Sequence, residues 1–435
     1  METFKFDPRM FISPPFIKCP KCNKDAFGVL TINRNSYTRR CRECLFPKVG
    51  EKLQRYDLPK LNKKVIYLDQ FVISEMMKSL NPKTKAYQKG KVDSFWLTLF
   101  EKLDTLSKLQ LIICPDSIYQ TNESLLSPYF EPLKRLYQLL SHGVSFYDRG
   151  TIERFQVYEN MKNWIANRPD DPIDIDVHNI VHGDINAWQD KLLISIKRKY
   201  EDGWIDSLRE EREQINSGLL AIFKRWQSET DKDFEYWFNQ ECEGYGKAVL
   251  QVYFNYLKTY IDITTGKTEP TANFLFPPDS VVLIHEFHGL LREAGVPDEE
   301  LWSKTVQYFN SPSLKHVPTI KISSMLYASL ARKAASGQKS PPTKGMTNDI
   351  AMISSLLPYC DAIFIDNECH TYLNEKPLCD ELNYGTKIFS PNNKNEFMLY
   401  LNSVEAGMPK EHLEKVIEVY GSTWFEPYTT LFTDE

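Results

Sequence analysis

Two Cys-x-x-Cys pairs stand near the start of the chain: Cys19-Pro-Lys-Cys22 and, eighteen residues on, Cys41-Arg-Glu-Cys44. Four thiolates at this spacing can close a tetrahedral shell around one zinc ion, the pattern of a zinc ribbon. A closed all-sulfur shell leaves no position for water, so the zinc expected on Cys19, Cys22, Cys41 and Cys44 is structural and not catalytic. The same head is basic. Residues 1–64 hold 15 Lys and Arg against 6 Asp and Glu, a net of +9; the whole chain carries −5, so the remainder carries −14. A basic head on an acidic body points to a polyanion, with Arg34, Arg39, Arg40 and Arg42 as its expected contacts. A ribbon that only folds, or that docks a protein, is the competing reading.

At 435 residues the chain has room for two or three domains and a large core. No apolar run approaches the roughly 20 residues of a membrane span, and Met-Glu-Thr-Phe-Lys-Phe-Asp-Pro-Arg-Met-Phe lacks the pattern of a secretory signal. Outside the ribbon, Cys114, Cys242, Cys360, Cys369 and Cys379 are scattered, a usage that suits buried free thiols in a reducing compartment. A cytoplasmic location and no membrane partner are therefore expected.

The ribbon is expected to span residues 1–58. Lys63-Lys-Val-Ile-Tyr-Leu-Asp69 then reads as a buried parallel strand ending at a carboxylate. Helical spacing follows at Ile73, Met76 and Met77 and again from Phe95 to Leu109. Leu111-Ile-Ile-Cys114 reads as a second strand, Leu125 to Leu140 as a helix, and Gly143 to Tyr147 as a third strand. Alternating strand and helix predicts a parallel α/β sheet over residues 59–148. Residues 149–319 are rich in charge and aromatics with apolar spacing of three and four (Ile194, Ile196, Tyr200; Leu219, Leu220, Ile222, Phe223, Trp226), which predicts a mostly helical insertion and a possible surface for a protein partner. The α/β pattern resumes over 320–403. Asn348 is the expected cap of a helix that carries Asp349 in its first turn and Ile350, Ile353, Leu356 and Leu357 on its apolar face. Cys360 to Asp366 and Thr386 to Ser390 read as strands, and residues 404–435 as a helical tail.

Two buried strands thus end in Asp69 and Asp366, and ligands of parallel α/β sheets bind beyond the carboxyl ends of strands. Asp349 opens the helix before the second of them, Glu123 follows the Leu111–Cys114 strand, and Glu368 lies two residues past Asp366. Carboxylates brought to one edge repel unless cations neutralise them, and hard oxygen ligands suit Mg²⁺ or Mn²⁺. Ordinary caps and turn residues are the plainer reading of each acid taken alone.

The set Tyr67-Leu-Asp69-Gln-Phe-Val-Ile-Ser74, Glu123, Thr347-Asn-Asp349-Ile-Ala and Phe364-Ile-Asp366-Asn-Glu368 resembles the PIN-domain nucleases, over roughly residues 63–148 and 320–403. The resemblance implies a three-layer α/β/α parallel sheet of PIN type and a Mg²⁺- or Mn²⁺-dependent nuclease. Asp69, Glu123, Asp349 and Asp366 would hold the metal, with Glu368 in or beside that set. RNA is favoured over DNA as substrate, and a toxin or defence effector is the role implied by analogy. The sequence departs from the family at Gln70, where Thr, Ser or Asn is usual, and in Asp366-Asn-Glu368, where either acid could face the metal. These departures support the alternative, a non-catalytic nucleic-acid- or protein-binding adaptor on a degenerate PIN scaffold.

Other signals are weaker. His285 and His288 miss the HExxH spacing; His178, His182 and Asp184 surround the helix-weakening Gly183; Cys369-His370 with Cys379 lacks a second knuckle. Trp164, Trp188, Trp204, Trp226 and Trp237 read as core. No Walker A loop or GxGxxG occurs, so no nucleotide cofactor is expected.

Overall fold

The computed structural model of the protein describes residues 7–48, 50–191, 202–270, 274 and 276–433. Its head is an antiparallel sheet of β1 (Ser13–Lys18), β2 (Asp25–Asn33), β3 (Ser36–Cys41) and β4 (Arg55–Asp57), paired in that order. Side chains of a strand alternate between faces. On β3 the inward set is Tyr37, Arg39 and Cys41. Arg39 is therefore buried: its guanidinium donates to the carbonyls of Pro15 (2.8 Å), Phe27 (3.0 Å) and Glu418 (2.9 Å). This corrects the expectation that Arg39 meets a polyanion; it is a brace inside the protein.

The body follows as β5 (Lys64–Leu68), α1 (Gln70–Leu80), α2 (Lys85–Gln88), α3 (Ser94–Lys108), β6 (Ile112–Ile113), α4 (Ile118–Leu125), α5 (Phe130–Ser141) and β7 (Ser145–Phe146). The helix expected from Leu125 to Leu140 is two helices, interrupted at Ser127-Pro128, because proline restricts the residue before it. Next come α6 (Arg149–Ile165), β8 (Val181–His182), α7 (Asp202–Ser228), α8 (Phe234–Thr264), α9 (Asp279–Glu293), α10 (Asp298–Phe309) and α11 (Pro318–Ala335). The expected third strand, β7, pairs antiparallel with β8, and a bridge between Ser145 and Asp116 links it toward β6. The apolar residues Ile194, Ile196 and Tyr200 lie outside the described residues. The chain closes with α12 (Met346–Leu356), β9 (Ala362–Phe364), α13 (Asn367–Asn374), α14 (Leu378–Glu381), β10 (Lys387–Phe389), α15 (Lys394–Ala406) and α16 (Lys410–Tyr420).

Four of these strands form one parallel sheet in the order β10-β9-β5-β6. The two halves of the chain meet in it, with Ile66 opposite Ala362 and Leu68 opposite Phe364. Alternation sends Ile66, Leu68, Ala362 and Phe364 to one face, against α1, α3, α5 and α15. It sends Val65, Tyr67, Ile363 and Ile365 to the other, against α11, α12 and α13. Each fully buried Leu, Ile or Phe contributes about 1.5–3 kcal/mol, so a sheet covered on both faces is held by these two cores.

The helical stretch divides between two cores. Leu219, Phe223 and Trp226 of α7 and Trp237 of α8 join the sheet's second face. The rest of α8 packs with α6, α9 and α10 in a core of their own. Trp188, Trp226 and Trp237 are buried as expected, whereas Trp204 is 54% exposed. The C-terminal α16 lies on the head: Val416, Val419 and Tyr420 pack with Val29, Ile32, Tyr37 and Trp188. Among the described residues, no helix is long and apolar enough to cross a membrane.

Candidate metal centre

The head brings its four cysteines together as the spacing predicts. Cys19 and Cys44 Sγ are 3.6 Å apart, Cys22 and Cys41 Sγ 3.7 Å, and all four sulfurs lie within 4.8 Å of one another. A tetrahedral ion with Zn–S bonds of about 2.3 Å sets its sulfurs about 3.8 Å apart, so the cluster has the dimensions of a zinc site. The backbone N–H groups of Lys21 and Cys44 point at Cys19 and Cys41 Sγ, each at 3.4 Å, and such donors favour thiolate. Cys19 and Cys41 are buried and Cys22 and Cys44 half-buried, and a cluster this small has little core to hold it without metal.

The second group lies at the carboxyl edge of the parallel sheet. Asp69 follows β5 and caps α1, accepting from the Gln70 N–H. Asp366, two residues past β9, caps α13 and accepts from the N–H groups of Glu368 (2.6 Å) and Cys369 (2.9 Å). The two caps adjoin because the Asp69 N–H donates to the Phe364 carbonyl at 3.0 Å. Asp349 stands in the first turn of α12. That helix begins at Met346 after Gly345, so Asn348 is not its cap, contrary to expectation; the Asn348 side chain instead hydrogen-bonds Glu123. Glu123 rides on α4, which is tied to β5 by Gln120 Nε2 donating to the Leu68 carbonyl (2.6 Å) and to α12 by Tyr119 Oη donating to the Ala351 carbonyl (3.1 Å).

The five acids are half-buried, and burial with neighbouring carboxylates raises Asp69, Asp349 and Glu368. Burial, then Glu123 and Asp366, pushes Asp69 up to about 8. Burial, then Asp69, Asp366, Glu123 and Glu368, pushes Asp349 up to about 9. Glu123 is raised by burial against the pull of Arg212, and Glu368 by burial and then Asp366. An uncompensated cluster of this kind protonates unless a cation is present. Carboxylate oxygens of Asp349 and Asp366 lie within 4.8 Å of each other and of Cys369 Sγ. Burial, then Asp366 and Asp349, raises the Cys369 thiol in the metal-free protein; the two carboxylates beside it are hard oxygen donors of the kind that suit Mg²⁺ or Mn²⁺.

Three participants escaped the sequence reading. Cys369 sits under Asp366 because the α13 cap turns its N–H onto that carboxylate. Asn348 turns inward to Glu123. Arg212 reaches Glu123 at 3.4 Å from α7, 89 positions along the chain, and no sequence spacing announces such a contact. Gln70, next to Asp69, is buried, donates Nε2 to Ser124 Oγ at 2.7 Å, and leaves Oε1 without a hydrogen bond.

The remaining head arginines differ. Arg34 is exposed and pairs with Asp184 at 3.3 Å, Arg40 is half-buried, and Arg42 is exposed. Of the histidines, His288 Nε2 hydrogen-bonds with Thr305 Oγ1, and His182 packs on Tyr147. No protein-family model matches this chain, and no curated protein or solved structure matches it either.

Proposed function

We propose that the protein is a metal-dependent nuclease of PIN type, hydrolysing phosphodiesters of RNA in preference to DNA. The observation that carries this reading is the acidic edge: Asp349 and Asp366 bring carboxylate oxygens within 4.8 Å of each other at one end of a parallel sheet, and Asp69 and Glu123, from two further elements, add negative charge at Asp349. A fold that stabilises so many acids together without need of a cation would replace one with Asn or Gln at little cost. Asp69, Asp349, Asp366 and Glu123 would hold Mg²⁺ or Mn²⁺, and Glu368 adjoins Asp366. When bound, such an ion supplies charge stabilisation for a phosphodiester and a water of lowered pKa. The chain's own part is to fix these oxygens. Asp69 and Asp366 are held by the N–H groups of the helices they cap, and Asn348 steadies Glu123. Asp349, the acid most raised, is the group that must lose its proton before a cation binds, so loading strengthens as pH rises.

In the head, Cys19, Cys22, Cys41 and Cys44 would bind structural zinc, and the exposed Arg34 and Arg42, with Arg40 beside them, would supply the substrate's electrostatic contact. The adaptor reading is favoured by one observation. Arg212 already provides Glu123 with a positive partner, and an edge neutralised from within needs no metal.

The deciding experiment is cleavage of RNA, single-stranded DNA and duplex DNA by the full chain with Mg²⁺ or Mn²⁺, beside Asp349→Asn. Cleavage lost in the variant supports the nuclease; equal cleavage by both removes Asp349 from the catalytic set, and no cleavage by either favours the adaptor.

A further inference from the structure

The helical stretch places one cation on the acidic edge. Arg212, from the middle of α7, has Nη2 3.4 Å from Glu123 Oε1. That nitrogen is buried yet makes no hydrogen bond of good geometry. The contact is charge against charge without the directed bidentate fit a guanidinium can make with a carboxylate. The other groups facing Glu123 are Asn348, which bonds it, and the acids Asp69 and Asp349, which repel it. Arg212 is thus the one basic side chain that opposes the repulsion at Glu123 among the described residues.

α7 is also strapped to the segment that carries Asp349. Glu213, the next residue, pairs with Lys344 at 2.8 Å, and Gln227 Nε2 donates to the Gln338 carbonyl at 2.8 Å. Both partners lie in the loop between α11 and α12. Leu219, Phe223 and Trp226 fix the C-terminal half of α7 in the core, whereas its N-terminal half carries the exposed Trp204 and the surface pair Asp206–Arg209. Arg212 lies where the anchored half gives way to the exposed half.

We propose that Arg212 is the built-in counter-cation of the acidic edge: it shares Glu123 in the metal-free protein and yields that carboxylate when a divalent cation binds, so α7 sets how readily the site loads. This rests on the metal-binding reading above and deepens it by naming what restrains the site. The two cations compete for one oxygen set. Removing the guanidinium leaves the edge more negative and frees Glu123, so Mn²⁺ binds more tightly. Arg212 is partly exposed, and pairs of that kind carry only modest energies, so the expected gain is about fivefold.

The test is titration of the full chain, zinc kept in the head and other divalent cations removed, with Mn²⁺, followed by calorimetry and by the electron paramagnetic resonance of free Mn²⁺. The variants are Arg212→Ala, Arg212→Gln, Arg212→Lys and Asp349→Asn. Arg212→Ala and Arg212→Gln should each bind about fivefold more tightly, Arg212→Lys close to the parent, and Asp349→Asn at least about tenfold more weakly. The glutamine variant keeps the length of the stem, so a packing defect in Arg212→Ala cannot pass for the effect. Unchanged or weaker Mn²⁺ binding in both neutral variants, with Asp349→Asn still weak, overturns the role of Arg212 and leaves the metal site standing. Equal binding by Asp349→Asn and the parent removes the metal site and this inference with it.

Discussion

The two ligand clusters of this protein are built in opposite ways. The sulfur cluster comes from 26 consecutive positions, Cys19 to Cys44, held by strands that pair with their neighbours in sequence. The acidic edge joins Asp69 to Asp366 across nearly 300 positions and exists only once β5 and β9 pair. Soft, closed and local stands against hard, open and assembled. In the first, a bound metal would make the structure; in the second, the structure holds charges together against their repulsion and would need metal for chemistry. On this account the head would depend on its ion for folding, and the edge would not.

The largest effect expected from that contrast follows loss of the sulfur cluster. Cys19→Ser with Cys41→Ser should abolish zinc in metal analysis of the purified protein. Structural zinc sites carry apparent binding energies of about 10–16 kcal/mol, so the head should unfold. Limited proteolysis should then cut within β1–β4 and along α16, whose partners Val29, Ile32 and Tyr37 are lost, while β5–β10 stay protected. A single cooperative collapse of the whole chain would break the comparison.

Next in size is Arg39→Ala. It strips the donor from three carbonyls, those of Pro15, Phe27 and Glu418. Leaving buried acceptors unpaired should cost about 2–4 kcal/mol, read as a lower midpoint for loss of head structure in urea. A loss under about 0.5 kcal/mol would show that the brace is incidental.

Sequence alternation could have identified Arg39, since Tyr37, Arg39 and Cys41 share one face of a strand and two of the three are plainly interior types. The cysteines, Asp69 and Asp366 were legible because each signal is local: a fixed spacing, or an apolar run ending in an acid. Asp349 was legible as a first-turn acid, although the cap was misplaced, because Gly345 starts α12 early and frees Asn348 for Glu123. Arg212, Cys369 and the pairing of β7 with β8 were not legible. Each depends on a contact between distant segments, and two-residue strands have no periodicity to detect. The PIN resemblance remains the proposal of the motifs and of the edge they form.

Asp349→Asn sharpens the acidic half. Asp349 titrates at about 9 in the fold, above the ordinary value near 3.9. A raised carboxyl keeps its proton in the native state while the unfolded chain loses it, so stability falls as pH rises from about 4 to about 9 and then levels off. The Asn variant has no such group. It should match the parent near pH 4 and exceed it by several kcal/mol at pH 9, measured as urea midpoints across pH with no divalent cation added. Identical pH profiles would contradict the crowding of charges at this edge.

The smallest effect belongs to the exposed Arg42. Arg42→Ala should leave stability within about 0.5 kcal/mol. It should weaken RNA binding only modestly and reduce the slope of log affinity against log salt by about one. An unchanged slope would remove this residue from the substrate surface.

The central claim is that the acidic edge hydrolyses phosphodiesters, and the most direct measurement is single-turnover cleavage of a labelled RNA by the full chain, zinc kept in the head and other divalent cations removed, with and without added Mn²⁺, for the parent and Asp349→Asn. The account predicts cleavage by the parent only when Mn²⁺ is present, and at least about a hundredfold loss in the variant, the scale on which removing one charge-stabilising group lowers a rate. Equal cleavage by the two proteins, or cleavage by the parent without added Mn²⁺, would contradict it.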